Sequence, residues 1–309
     1  MPKIFHCLLI SALLATTATA RAQQGFDPAA RASVIAPFID EQTVMIVHVD
    51  LSRVEVGPLL RFYADVLPID QRQSAQFKQQ MPQIEKASKA MLGAFAKAGG
   101  RDVYLGVSLF DIAGNKDPLF MIFPLAKDAD TAALSKLLKN AASFSQATTE
   151  EIGDALFFGR PDTLERLERM KPDPRPDLIP AFEAAGDTAA QVVFLPPRHT
   201  RRVIEEMMPA LPDLFGGGPS TVLTRGILWA SLGVDLPPKF TLRAVIQSED
   251  PQAAETLRTE LDDLIRVIAQ RKAVRDILPD LAKIASLVPP SVEGNRLVLN
   301  IDENDATTE

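Results

Sequence analysis

Apolar and polar residues alternate along this chain in a pattern that occurs twice, with short apolar runs and longer amphipathic segments in the same order. Five pairs of segments match: "TVMIVHVDLSRV" (43–54) with "AAQVVFLPPRHT" (189–200), "LLRFYADVLP" with "VIEEMMPALP", "RDVYLGVSLFD" (101–111) with "RGILWASLGVD" (225–235), "LFMIFPLAKDADTAALSKLL" with "KFTLRAVIQSEDPQAAETLR", and "IGDALFFG" (152–159) with "EGNRLVLN" (293–300). Identity is low within each pair, but five matches in one order indicate an internal repeat.

Each repeat has the predicted order strand, helix, strand, strand, helix, strand, because short apolar runs predict strands and the longer segments predict helices. Asp130 and Asp250 are predicted N-caps of the second helix, and Pro251 occupies the favoured first helical position. A Gly-Asp or Gly-Asn turn before the last strand predicts a small hairpin. The order is typical of an α+β fold with two tandem ferredoxin-like (β-α-β-β-α-β) halves, antiparallel sheets with helices packed on one face.

The two halves differ in what they add to this common order. The first half inserts a long helical segment at 74–98, with a bend expected near Pro82, whereas the second half lengthens its second helix. Four prolines between the halves favour extended backbone and break helices. The predicted boundaries are 1–22 for a signal peptide, 23–171 for the first half, 172–188 for a connector, 189–302 for the second half and 303–309 for a disordered acidic tail.

Residues 1–22 have the pattern of a secretory signal peptide. Lys3 gives a positive start, "IFHCLLISALL" is an apolar core too short to span a bilayer as a helix, and Ala20-Arg21-Ala22 is a typical cleavage pattern. We therefore expect cleavage after Ala22 and a secreted or periplasmic protein. Cys7, the only cysteine, lies in this segment, so the mature chain would have no disulfide, thiolate nucleophile or cysteine-based metal site.

Charge argues against two classes of partner. The chain has 33 basic and 40 acidic residues, and the signal segment contains two of the basic ones and no acid, so 31 and 40 remain, with a net charge of −9. Nucleic acids and anionic lipids attract positive surfaces, so we expect neither as a partner. We also expect no transmembrane segment after signal removal, because no later segment is a long uncharged apolar run.

The candidate chemistry is concentrated in "HVDLS", where His48, Asp50 and Ser52 occupy alternate positions. Alternate residues of a strand share a face, so His48 and Asp50 would serve a hydrolase or hold a metal. The repeat favours packing instead, because its alignment sets Phe194 against His48 and Pro196 against Asp50. Ser52 followed by Glu55 fits a helix capping box. We predict the end of a strand and a cap, with a hydrolase as the alternative.

Arg198 and His199, in "RHTRR", form a second possible polar site at the predicted start of a helix. Arginine at a helix start binds carboxylate or phosphate together with free amides, although a solvated first turn explains the same residues. A zinc site would need His48, His199 and carboxylates to converge, and neither histidine has a partner at ligand spacing. "FGGGPS" lacks the ending of a phosphate-binding loop. We predict no metal and no cofactor.

A possible partner-binding face lies on two strands of the second half. In "FTLRAVIQ" the polar side carries Arg243 and Gln247, and in "NRLVLNID" it carries Arg296 and Asn300. The corresponding "PLFMIFPLA" of the first half is nearly all apolar, so we expect that strand to be covered on both faces. The polar face of the second half would then meet either a partner or solvent.

Three long segments resemble a set of uncharacterised exported bacterial proteins of planctomycete type: "FIDEQTVMIVHVDLSRV", "LPPRHTRRVIEEMMPALP" and "GILWASLGVDLPPKFTLRAVIQSEDPQAAETL". The resemblance implies export and a duplicated α+β body, and it supplies no activity, cofactor or functional residue. The resulting prediction is an exported, non-catalytic binding or structural protein of the cell envelope, with a protein, peptide or envelope component as its partner. The alternatives are a hydrolase that uses His48 and Asp50, and a small-molecule carrier with a pocket between the halves.

Overall fold

The computed structural model describes seven stretches of the chain: 26–66, 71–109, 119–141, 147–169, 175–210, 219–269 and 289–302. The predicted signal peptide and acidic tail lie outside these residues, as do the first residues of the predicted connector and most of "FGGGPS". No helix within the seven stretches is both long enough and apolar enough to cross a membrane.

The strands form where the sequence has its short apolar runs. They are β1 Thr43–Asp50, β2 Asp102–Ser108, β3 Leu119–Pro124, β4 Thr148–Ile152, β5 Ala155–Gly159, β6 Ala190–Phe194, β7 Trp229–Asp235, β8 Thr241–Gln247, β9 Ser291–Glu293 and β10 Arg296–Ile301. The helices are α1 Pro28–Ile35, α2 Val56–Val66, α3 Gln71–Lys97, α4 Thr131–Ala141, α5 Pro161–Arg169, α6 Leu178–Ala185, α7 Arg198–Met207, α8 Thr221–Gly226 and α9 Pro251–Ala269.

All ten strands belong to one antiparallel sheet, in the order β4-β5-β3-β2-β1-β6-β7-β8-β10-β9. The halves join through β1 and β6, and the strand order of the second half is that of the first in reverse. The α+β class and the antiparallel pairing are confirmed. The prediction of two separate sheets is wrong, because the β1–β6 ladder makes them continuous.

The ferredoxin-like topology is not confirmed, because a split β-α-β unit places a strand between the two strands that its helix joins. Here β1 and β2 are adjacent and antiparallel. The number of helices between the two strands explains this pairing. A single helix would return the chain to the start of β1 and make the next strand parallel to it, whereas the pair α2 and α3 leaves β2 antiparallel to β1. The second half has the same arrangement, with α7 and α8 between β6 and β7.

Local predictions of caps and turns are confirmed. Asp130 accepts a hydrogen bond from the Ala133 amide at 2.9 Å, and Asp250 accepts one from the Ala253 amide at 2.7 Å. Hairpin β4–β5 turns at Gly153 and hairpin β9–β10 at Gly294, both with positive φ, which a glycine adopts without strain. The long helix of the first half is also present, as α3, and it continues through Pro82.

Helices cover both faces of the sheet, so the prediction of helices on one face is wrong. The face that carries Ile46 and His48, called the histidine face below, packs against α1, α5 and α6. The opposite face packs against α2, α3 and α4 in the first half and against α8 and α9 in the second. The helices of the opposite face belong to the two repeated units predicted from the sequence. The others come from segments before and between the repeats, including the predicted connector, which contains α6.

Candidate functional site

His48 lies in the middle of the histidine face and is 0% exposed. Its Nε2 is 2.7 Å from Oδ1 of Asp102, on the neighbouring strand, and its ring lies against Tyr104 with ring centroids 4.7 Å apart. Its Nδ1 has no hydrogen-bond partner among the described residues. Burial raises the pKa of Tyr104, so this phenol stays protonated and neutral. The histidine is therefore held between strands and enclosed from solvent.

Asp50 is also buried, and its carboxylate organises the turn that follows β1. Oδ1 accepts hydrogen bonds from the Ser52 amide at 2.9 Å and the Ser52 hydroxyl at 2.5 Å, and Oδ2 accepts one from Arg101 at 3.1 Å. Burial raises the pKa of Asp50, but the hydrogen bonds from Ser52 and Arg101 and the charge of Arg101 outweigh it, so this pKa lies below its usual value. Asp50 caps a short 3-10 turn, Leu51–Arg53, and α2 begins only at Val56. The Ser52 hydroxyl donates to Asp50 and caps no helix, so the predicted Ser52–Glu55 capping box is wrong.

His48, Asp50 and Ser52 do not form a hydrolytic arrangement. The Ser52 hydroxyl donates to Asp50, and the hydrogen bond of His48 is to Asp102, so the histidine does not contact the serine as the base of a triad would. A general base also needs contact with substrate, which full burial of His48 prevents.

The comparison of His48 with Phe194 in the two repeats is wrong by one strand position. The register places His48 opposite Gln191 and Phe194 opposite Met45. Because side chains alternate between faces, a slip of one residue moves Phe194 to the opposite face, where it is 39% exposed. Two backbone hydrogen bonds close the ends of the β1–β6 ladder. The Asp50 amide donates to the Ala189 carbonyl at one end, and the Leu195 amide donates to the Val44 carbonyl at the other, so Asp50 and Leu195 occupy equivalent positions in the two halves.

Ionic contacts that the sequence analysis missed connect the halves beside this cluster. Arg53 donates to the Asp187 carboxylate at 2.7 Å, to its carbonyl at 3.0 Å and to the Asp235 carboxylate at 2.8 Å. Arg31 lies 3.6 Å from the Asp187 carboxylate and over the ring of Phe26, and burial lowers its pKa. These pairs span more than a hundred residues of sequence, and no local pattern would reveal them. They stabilise the junction of the two halves.

Arg198 and His199 lie at the first turn of α7, exposed and remote from His48. Nδ1 of His199 is 3.9 Å from a carboxylate oxygen of Glu41, before the start of β1, whereas His48 is near the end of that strand. The structure therefore does not bring the two predicted polar pairs together. Within the described stretches, no three histidine, cysteine or acidic side chains are grouped as metal ligands.

The predicted partner-binding residues form two cross-strand pairs at one end of the histidine face. Arg243 donates to Asn300 at 3.0 Å and to the Ala184 carbonyl of α6 at 2.9 Å. Arg296 donates to Gln247 at 2.8 Å. Its guanidinium also lies 5.4 Å from the ring centroid of Trp229. The side chains of each pair are thus hydrogen-bonded to each other, and Arg243 also bonds to α6.

The two most exposed large apolar side chains of the described residues lie elsewhere, on α7. Val203 is 47% and Met207 is 80% exposed, and Met208, directly after the helix, is 36% exposed. No residue of α7 is buried. We call Val203, Met207 and Met208 the α7 surface. The signal in the sequence was the i, i+4 spacing of these apolar residues in "RRVIEEMM", which usually predicts a buried helix face.

Comparisons with known proteins add no family to this picture. No family model, curated protein or solved structure matches the chain. The resemblance to exported planctomycete-type proteins therefore stays a prediction.

Proposed function

We propose that this protein is an exported, non-catalytic binding protein of the cell envelope, and that a partner docks on the α7 surface. The observation that carries the proposal is the exposure of Val203 and Met207 on a helix that buries none of its residues. Contiguous exposed apolar residues commonly mark interaction sites. Methionine suits such a site because its flexible, polarizable side chain adapts to different partners.

The buried polar cluster favours this function over a hydrolase. His48 and Asp50 are both enclosed, and each has a structural partner, Asp102 for the histidine and Ser52 with Arg101 for the aspartate. Both side chains have a structural role within the first half, where His48 links β1 to β2 and Asp50 fixes the turn after β1. That role needs no substrate access.

Capture from an envelope extract of the producing organism tests the proposal. Mature protein and its Met207→Asp variant are immobilised, and the recovered proteins are quantified by mass spectrometry. We expect a specific partner whose recovery falls at least about tenfold with Met207→Asp, since burying a methionine contributes about 1.5–3 kcal/mol. Ile179→Asp is the matched control, because Ile179 is also an exposed apolar helical residue but lies on α6. Equal recovery by both variants would contradict the proposal.

The predicted face around Arg243 is tested in the same assay with Arg243→Glu. If partners dock there, this change reduces recovery, whereas docking on the α7 surface leaves recovery unchanged. Because Arg243 also holds the Ala184 carbonyl, the thermal stability of the variant is measured alongside.

A further inference from the structure

The first half shows what covers a helix in the position of α7. Helix α2 follows β1 as α7 follows β6, and its Val56, Leu59 and Leu60 are buried. They pack in one cluster with Leu92 of the long helix α3 and with partly buried apolar residues of the same helix. The apolar face of α2 is therefore completed by a second, amphipathic helix.

The repeat alignment places an exposed residue of α7 on a covered residue of α2. "LLRFYADVLP" lies over "VIEEMMPALP", so Val203 corresponds to Leu59 and Ile204 to Leu60. Leu59 is 2% exposed, whereas Val203 is 47% exposed. Between α7 and β7 the described chain contains only α8, six residues long, which contacts another side of α7 through Thr224. The described second half thus lacks an equivalent of α3.

The starts of α2 and α7 differ in the charged groups that lie beside them. In the first half, α3 brings Glu85 against the first turn of α2, where an added Cβ on Gly57 would lie only 2.8 Å from the Glu85 carboxylate oxygen. A carboxylate is favourable there because free amides make a helix start positive. The first turn of α7 has no side-chain cap, and its His199 lies 3.9 Å from a carboxylate oxygen of Glu41. The exposed Arg198 of the same turn forms no ion pair with the described residues. It is therefore complementary to an acidic group.

We propose that α7 binds an amphipathic helix of another protein, with the apolar face of that helix on the α7 surface and one of its carboxylates at the first turn of α7. This inference rests on the proposed function and specifies its partner. A membrane surface fits less well, because Glu205 and Glu206 follow the arginines on α7 and the mature chain carries a net negative charge. Anionic lipids repel both.

Binding of two designed helical peptides to the mature protein tests the inference. Both peptides are about 18 residues long, above the length at which isolated helices are marginal. They share one leucine stripe, and they carry either two glutamates or two glutamines at the end that meets Arg198. Affinity is measured by fluorescence anisotropy at low salt, and hydrogen exchange of residues 198–208 locates the bound peptide. Vesicles of anionic phospholipid are the third probe.

We expect the glutamate peptide to bind about two- to five-fold tighter than the glutamine peptide, the size of a charge effect at a helix start. Arg198→Glu should remove that preference, and Met207→Asp should weaken both peptides at least about tenfold while Ile179→Asp changes neither. Binding that is insensitive to Met207→Asp, equal affinity of the two peptides, or Met207-dependent binding to vesicles would overturn the inference. If envelope capture depends on Met207 but neither peptide binds, the helical partner is wrong and the proposed function stands.

Discussion

Helices α2 and α7 occupy the same place in the two halves of one sheet, yet one is core and the other is surface. Leu59 of α2 is 2% exposed beneath α3, whereas its counterpart on α7, Val203, is 47% exposed. The difference comes from the covering helix and not from the helices themselves, since both carry apolar residues at i, i+4 spacing. An internal repeat can therefore bury a helix in one copy and leave the corresponding helix exposed in the other.

The largest expected effect comes from truncating the same helix position in each half. Leu59→Ala should lower the free energy of unfolding by about 2–5 kcal/mol, because it leaves a cavity between α2 and α3. Val203→Ala should change it by less than about 0.5 kcal/mol, as is usual for exposed sites. Urea unfolding followed by circular dichroism measures both. Similar losses in the two variants would show that α7 is packed as α2 is.

An exchange of His48 and Phe194 sharpens the comparison of the two faces. His48→Phe should destabilise the fold by about 1–3 kcal/mol, because it removes the buried hydrogen bond to Asp102 between β1 and β2. Phe194→His should cost less than about 0.5 kcal/mol, since that side chain is partly exposed on the opposite face. Thermal unfolding of the two variants gives the values. Tolerance of His48→Phe would restore the packing equivalence that the sequence alignment suggested.

Two arginines, one in each half, should differ by a smaller amount. Arg53→Ala removes three hydrogen bonds to Asp187 and Asp235 and should cost about 1 kcal/mol, a modest value because Arg53 is partly exposed. Arg202→Ala removes one exposed pair with Glu206 within α7 and should cost nearly nothing. Chemical unfolding at low and high salt separates them, and an Arg53→Ala variant as stable as Arg202→Ala would contradict the junction role.

The smallest effect concerns acid stability. The pKa of Asp50 is lower in the folded chain than its unfolded value of about 3.9. Its contribution is therefore fully present above that unfolded pKa and is lost as the pH falls through the folded pKa. The difference in unfolding free energy between the wild type and Asp50→Asn should shrink as the pH is lowered below about 4. A difference that stays constant or grows under acid would contradict the assigned direction.

Local chemistry made part of this fold predictable. Asp130, Asp250, Gly153 and Gly294 act within a few residues of themselves, and their caps and turns could be read directly from the sequence. The strand order could not be read from the sequence in the same way. The repeat pattern favoured a single helix between the first two strands, whereas the inserted helix α3 reverses the chain once more and makes β1 and β2 neighbours. Register also failed, since an error of one residue at Phe194 moved a side chain to the other face.

The candidate site was harder to predict than the fold. His48 and Asp50 were found from their spacing, but whether they meet solvent depends on α1 and α6, whose packing no repeat revealed. The apolar residues of the α7 surface have the spacing of a buried helix face. Their exposure becomes apparent only from the structure, in which no described helix covers them.

Site-specific photo-crosslinking measures most directly whether α7 is the binding surface. A photoreactive amino acid replaces Met207 in one protein and Ile179 in another, and each is expressed in the producing cells and irradiated. We predict a discrete adduct of higher mass from position 207 and none from position 179. Adducts of equal yield at both positions, or none at position 207, would contradict docking on the α7 surface.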